Sequence, residues 1–287
     1  MKPSRSEFLH LRGLRYHVRH WGSDDAPKLF LLHGWLDVSG TFQHFVDALE
    51  RDWHVIAPDW RGLGHSGWAP GGYWFPDYLA DLDELADHYS PDEPLRLIGH
   101  SMGAQAASLF AGLRPQRCQR LVIMDGLFLP NMDAELAPKR YASWLDQQRK
   151  PPVQRHYDGF KDLARRVRKQ HPKLSEERAL YVARCWARED GHGRIALCAD
   201  PAHRFHGPSL YRAAESMAVW RQITAPTLFI DGSESAFTRA IDSGQVADRR
   251  QCFRDHRAAL VTGAGHMLHF DAPEDIARQV EAFLGDS

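Results

Sequence analysis

Residues 95–111, LRLIGHSMGAQAASLFA, decide the fold. Leu95 to Ile98 form an apolar run of strand length, and Ala104, Ala106, Ala107, Ser108 and Ala111 form a small-residue run of helical character. Between them stands Gly99-His100-Ser101-Met102-Gly103, a G-x-S-x-G sequence. A strand that turns directly into a helix crowds the neighbours of its central residue, so glycine is needed on both sides while Ser101 is held out at the sheet edge. Five such residues alone arise often by chance, and a tight turn with a helix-capping serine is the ordinary alternative. The flanking strand and helix make the signal specific.

Working outward, strand-length apolar runs ending in Gly, Asp or His recur at Leu29 to Leu32, Val55 to Ala57, Leu121 to Met124, Thr227 to Ile230 and Ala259 to Thr262. Helical patterns lie between them: Leu79, Leu82, Leu85, Ala86 and Tyr89 share one face. At the C-terminus, Pro273 suits a first turn, Ile276, Val280, Phe283 and Leu284 share a face, and Gly285 can end the helix. Alternating strands and helices predict an α/β fold, a mostly parallel sheet flanked by helices. Before it, FLHLRGLRYHVRHWG (8–22) reads as an antiparallel hairpin around Gly13.

Residues 127–222 break the alternation, with helical candidates near 134–149, 157–169, 175–187 and 208–221 and no convincing strand. They read as a helical cap inserted into a core of residues 1–126 and 223–287. The cap carries 5 Lys and 13 Arg against 11 acids, a balance of +7 that leaves the core at −8. A basic lid of this kind attracts anionic substrates such as acyl-CoA thioesters.

The 287 residues, 43% hydrophobic and 25% charged with net charge −1, describe an ordinary globular chain and give no overall charge excess pointing to nucleic acid. No stretch approaches ~18 uninterrupted apolar residues and the N-terminus lacks a secretory apolar run, so the expectation is a cytoplasmic protein with no membrane span. Cys118, Cys185, Cys198 and Cys252 show no CxxC or zinc spacing and are expected to be reduced.

A serine hydroxyl needs an adjacent base of fixed orientation to act as a nucleophile. Among 17 histidines, His266 stands out, because Gly263-Ala264-Gly265-His266 follows the last strand at the same sheet edge as Ser101. His269 is its competitor. Read in order, His33-Gly34-Trp35, Pro58-Asp59-Trp60-Arg61-Gly62-Leu63-Gly64-His65-Ser66, Gly99 to Gly103 and Gly263 to His266 resemble the α/β-hydrolase superfamily over almost the whole chain except the cap. The resemblance implies an eight-stranded core, a lid after the sixth strand and the chain order serine, acid, histidine. It also implies an oxyanion hole formed by the backbone N–H groups of Trp35 and Met102.

The family's commonest acid position, three residues after the glycine that follows the seventh strand, is Ser235 here, which holds no charge. Asp125, at the end of the sixth strand, is the favoured substitute, because some relatives such as pancreatic-type lipases carry their acid there; Glu234 and Asp231 are the alternatives. Haloalkane dehalogenases and epoxide hydrolases of the superfamily use Asp where this chain has Ser101. The implied activity is therefore cofactor-independent hydrolysis of a carboxylic ester or related small acyl substrate, with thioester hydrolysis or non-catalytic binding of a small molecule as alternatives.

Other signals read more plainly. Gly62-Leu63-Gly64-His65-Ser66-Gly67 matches a dinucleotide loop formally, but Trp68-Ala69-Pro70-Gly71-Gly72 follows where a helix is needed. Arg165, Arg166, Arg168 and Lys169 read as a solvated helix face. His203 and His206 lack a third metal ligand nearby. Trp35, Trp60, Trp68 and Trp74 could form an aromatic wall or pack separately.

Overall fold

The computed structural model describes residues 1–191 and 193–285. The chain opens with β1 (Ser4–Leu11) and β2 (Leu14–Trp21), then β3 (Lys28–Leu32), α1 (Gln43–Ala48), β4 (His54–Pro58), α2 (Phe75–Tyr89), β5 (Leu95–His100), α3 (Met102–Leu113) and β6 (Cys118–Met124). An inserted segment follows, with α4 (Ala137–Arg149), β7 (His156–Tyr157), α5 (Phe160–Gln170), α6 (Glu176–Trp186), β8 (Ala187–Glu189), β9 (Ile195–Leu197) and α7 (Ala213–Trp220). The chain returns through β10 (Thr227–Gly232), α8 (Ala236–Ala240), α9 (Ser243–Arg250), β11 (His256–Val261), α10 (Leu268–Asp271) and α11 (Pro273–Gly285).

The eight-stranded sheet has the order β1-β2-β4-β3-β5-β6-β10-β11. β2 runs antiparallel to β1 and β4, and every other pairing is parallel. The central strands β3, β4, β5, β6 and β10 are largely buried on both faces, as a doubly covered sheet requires, while the edge strands β1 and β11 are mostly exposed. Successive side chains alternate between two cores: Phe30 and Leu32 pack with α2 and α3, while Leu29 and Leu31 pack with α1 and α11. Because the central strands are parallel, His100, Met124 and Gly232 end at one edge, and the loops that follow them meet there.

The inserted segment differs from the sequence reading in two respects. β7, β9 and β8 form a small antiparallel sheet where no strand was expected. Strands of two or three residues are too short to display an alternating pattern. The candidate helix at 208–221 narrows to α7 and lies on α3, where fully buried Trp220 donates from Nε1 to Ser108 Oγ at 3.0 Å. The rest of the segment has its own apolar cluster, built from Leu163, Val167, Ala179 and Val182 and joined by Met267 and Phe270 of the chain's last quarter. The cysteines are free thiols, and no described helix is long and apolar enough to cross a membrane.

A buried ion pair anchors the β4 loop to α2. Arg61 donates to both carboxylate oxygens of Asp81 at 2.6 and 2.5 Å, and Tyr16 Oη donates to the same group at 2.8 Å. Removing one partner of a buried pair strands the other charge. Asp81→Ala should lower the unfolding free energy by about 3 kcal/mol in urea denaturation. Asp83→Ala, which breaks an exposed pair with Arg114, should cost under ~1 kcal/mol; equal losses would show that the buried pair is no anchor.

Candidate active site

The turn from β5 into α3 places Ser101 at φ 52°, a left-handed conformation that a side-chain-bearing residue adopts at a cost of about 1–3 kcal/mol. The surrounding glycines show why nothing larger fits. A Cβ on Gly99 would lie 2.5 Å from the Ala104 Cα, and one on Gly103 would lie 2.1 Å from the Leu32 carbonyl oxygen. The helix therefore packs directly on the strands, with Ser101 at its mouth. The Ser101 N–H bonds the Met124 carbonyl at 3.1 Å, which ties the turn to the end of β6.

Asp125, the next residue, also has a positive φ of 43° and is buried. Its N–H bonds the Ile230 carbonyl at 2.9 Å, so its backbone is held by β10. Its Oδ2 lies 2.6 Å from His266 Nδ1, and His266 Nε2 lies 3.0 Å from Ser101 Oγ. A carboxylate facing Nδ1 assigns the proton there, leaving Nε2 to accept from the serine hydroxyl. The structure thus brings Ser101, His266 and Asp125 into one hydrogen-bonded line.

The other acids point elsewhere. Glu234 is exposed and pairs with Lys173 at 2.6 Å, and Asp231 pairs with Arg250. Ser235 has a different part: its hydroxyl donates to Asp125 Oδ2 at 2.6 Å, and the Gly232 N–H donates to Oδ1 at 3.2 Å. Ser235, which cannot carry a charge, is thus a donor to the Asp125 carboxylate, a part that no local sequence pattern signals. Phe237 was also missed, and its ring centroid lies 4.2 Å from that of His266.

His269 pairs with a different acid. Fully buried, it reaches Asp37 Oδ2 from Nε2 at 3.2 Å, while Asp37 Oδ1 accepts from Thr41 at 2.9 Å and Trp186 at 2.8 Å. Burial alone would raise the Asp37 carboxyl, but the hydrogen bond and charge of His269 hold it down at about 2. His100 donates from Nε2 to the His266 carbonyl at 2.8 Å, and burial together with the neighbouring His269 and His266 keeps its pKa well below the usual imidazole range. A neutral His100 therefore ties down the loop that carries His266. Asp37, His100 and His269 place potential ligand atoms within 4.8 Å of one another; the bonds just described use Nε2 of each histidine, and both Nδ1 atoms are buried without a hydrogen-bond partner.

Met102 opens α3, and an N–H in the first turn of a helix has no intrahelical acceptor. Gly34 lies against the serine, since a Cβ there would sit 3.2 Å from Ser101 Cβ, and Trp35 follows it. The Trp35 indole turns away and donates to the His203 carbonyl at 3.2 Å.

The four tryptophans do not converge. Trp60 is fully buried and donates to the His33 carbonyl at 2.9 Å, Trp35 lines one cavity, and Trp68 and Trp74 line another. His203 stacks on Tyr73 with ring centroids 3.7 Å apart and meets the Arg61 carbonyl at 3.0 Å, while His206 is exposed. The formal dinucleotide loop is instead wrapped around Asp59, which accepts from Ser39 N–H at 2.7 Å and His65 N–H at 2.9 Å.

This chain belongs to the α/β-hydrolase fold family, whose model matches residues 27–273. It is 27% identical to a serine hydrolase-like protein of Danio rerio over 92% of this chain and 83% of that one. It is 26% identical to the esterase YbfF of Escherichia coli strain K12, over 90% and 93% of the two chains. Among solved structures, the thioesterase domain from the curacin biosynthetic pathway superposes with a TM-score of 0.87 at 24% identity, covering 97% of this chain and 99% of that one.

An Asp125→Asn enzyme should lose up to ~10⁴ in kcat on 4-nitrophenyl butyrate with little change in KM, because the amide disfavours the productive histidine tautomer. Glu234→Gln and Asp231→Asn, assayed beside it as folded proteins, should stay near wild type. Collapse of either with a near-normal Asp125→Asn would move the acid to that residue.

Proposed function

We propose that this α/β hydrolase is a serine hydrolase that cleaves a carboxylic ester or related acyl bond through an acyl-enzyme, without a cofactor. The observation that carries the reading is the continuous line from Ser101 Oγ to His266 at 3.0 Å and from His266 to buried Asp125 at 2.6 Å. In this mechanism His266 Nε2 takes the Ser101 proton as Oγ attacks the acyl carbon. The carbonyl oxygen becomes an oxyanion beside the N–H groups of Trp35 and Met102, each such donor being worth about 3 kcal/mol in a water-poor site. Collapse of the tetrahedral intermediate expels the alcohol, which takes the proton from His266. Water then attacks the acyl-enzyme with the same histidine as base. Asp125 orients His266 and stabilises the imidazolium, and Ser235 and the Gly232 N–H hold the carboxylate in place.

The helices and short strands of residues 127–222 act in this reading as a cap over the site, and their charge balance of +7 favours a second substrate type, the acyl-CoA thioester. A purely non-catalytic binder has no use for an aligned serine, histidine and carboxylate with a strained nucleophile turn.

Ser101→Ala should abolish both hydrolysis of 4-nitrophenyl acetate and butyrate and labelling by a fluorophosphonate, a loss of up to ~10⁶ in rate, with unchanged circular dichroism. Retention of more than about a tenth of wild-type turnover would refute the assignment, since full loss is the expectation for a sole nucleophile.

A further inference from the structure

A cavity of about 310 Å³ opens beside the proposed oxyanion loop and the base. Trp35, which follows Gly34, and Met267, which follows His266, line it together with apolar Trp186 and Leu197. Other lining residues are of another chemistry. Arg155 from the approach to β7, Arg166 from α5 and Arg204 from the short helical turn at Pro201–Arg204 all reach the lining. Leu163, Arg166, Val167 and Gln170 also line it, and their spacing of three and four sets them on one stripe of α5. Arg166 and Arg165 are both exposed, but only Arg166 lines the cavity, while Arg165 pairs with Asp162 at 3.2 Å.

Among the described residues none of these three arginines forms an ion pair with a carboxylate. Asp37, the acid that reaches the cavity, is held by Thr41, Trp186 and His269. Burial first, then the like charges of Arg155 and Arg166, lowers the Arg204 pKa from its ordinary value, so the Arg204 guanidinium lies in the positive field of the other two. Arginines gathered along one cavity without a carboxylate partner give it a positive potential that favours an anion. A guanidinium matches a carboxylate or phosphate through paired N–H donors.

We propose that Arg155, Arg166 and Arg204 bind an anionic group, a carboxylate or a phosphate, on the acyl substrate whose apolar portion lies against Trp35, Trp186 and Met267. The inference rests on the serine-hydrolase reading for the position of the scissile bond. The substrate class is then an ester or thioester with a fixed negative charge remote from the reacting carbon.

The test compares kcat/KM for 4-nitrophenyl monoesters of succinate, glutarate and adipate with that for neutral 4-nitrophenyl butyrate, valerate and hexanoate. A second pair, butyryl-CoA against the butyryl thioester of N-acetylcysteamine, places the charge on a phosphate-bearing leaving group instead. The anionic member of at least one pair should be favoured about tenfold or more, with the preference shrinking towards ~0.5 M salt. The favoured pair identifies carboxylate or phosphate as the source. Replacing Arg155 and Arg204 together by Gln should reduce the anionic-to-neutral ratio about tenfold, and Arg204→Glu should invert it. Equal or better turnover of the neutral member in both pairs, with Ser101-dependent hydrolysis intact, overturns the anion site and leaves the proposed function standing. If no ester or thioester is cleaved, the function falls, and calorimetry with glutarate and with CoA decides the site. Binding to the wild-type protein that is lost in the double Gln variant upholds the anion site, and absence of binding overturns it.

Discussion

The carboxylate of Asp125 is the constraint on which the site depends, because it joins three parts of the chain that are distant in sequence. Its backbone ends β6, its Oδ1 accepts from Gly232 at the end of β10, and its Oδ2 accepts from Ser235 and faces His266. A buried carboxylate without donors would carry a penalty of several kcal/mol. Three donors offset that cost and leave the group one orientation. The strained backbone at Asp125 fits this picture, since a positive φ turns the side chain towards β10 instead of continuing the strand.

A second set of bonds fixes the serine's surroundings from the other side. His33 accepts the Trp60 N–H at Nε2, 3.0 Å away, which leaves Nδ1–H to donate to the Gly34 carbonyl at 2.8 Å. Burial lowers the pKa of His33, in keeping with the neutral ring that this pattern needs. The loop after β3 is thus stapled to the loop after β4, and the latter is held by Asp59, whose carboxyl is drawn below the usual range by His17 against the opposing effect of burial. The short motifs at 33–35 and 58–66 are therefore largely structural: they position the Gly34–Trp35 backbone against Ser101.

The core strands and the serine turn were legible because their signals are local. An apolar run of four to six residues and a glycine-flanked turn need no knowledge of what lies opposite. His266 was legible by position, as a glycine-rich loop after the last strand meets the serine's sheet edge. The carboxylate that faces His266 was legible only through an absence: Ser235 could not carry charge, and Asp125 stood at the neighbouring strand end. What resisted reading depended on pairing across the chain. The two-residue β7 has no period, Trp60 and Trp74 look alike in sequence although one is fully buried and the other exposed, and of the exposed neighbours Arg165 and Arg166 only the second lines the cavity. The pairing of Asp37 with His269 spans 232 positions, which no local pattern conveys.

Met267 and Phe270 follow the proposed base almost immediately, yet they pack among the apolar side chains of the inserted segment. The loop bearing His266 is therefore clamped from two directions, by His100 beneath and by the insertion above. Such an insertion is no detachable cover. A substitution that loosens its interior also loosens the seats of Met267 and Phe270, one and four residues beyond the imidazole. A segment transplanted from another member of the fold would have to bring its own seats for both side chains to hold that loop.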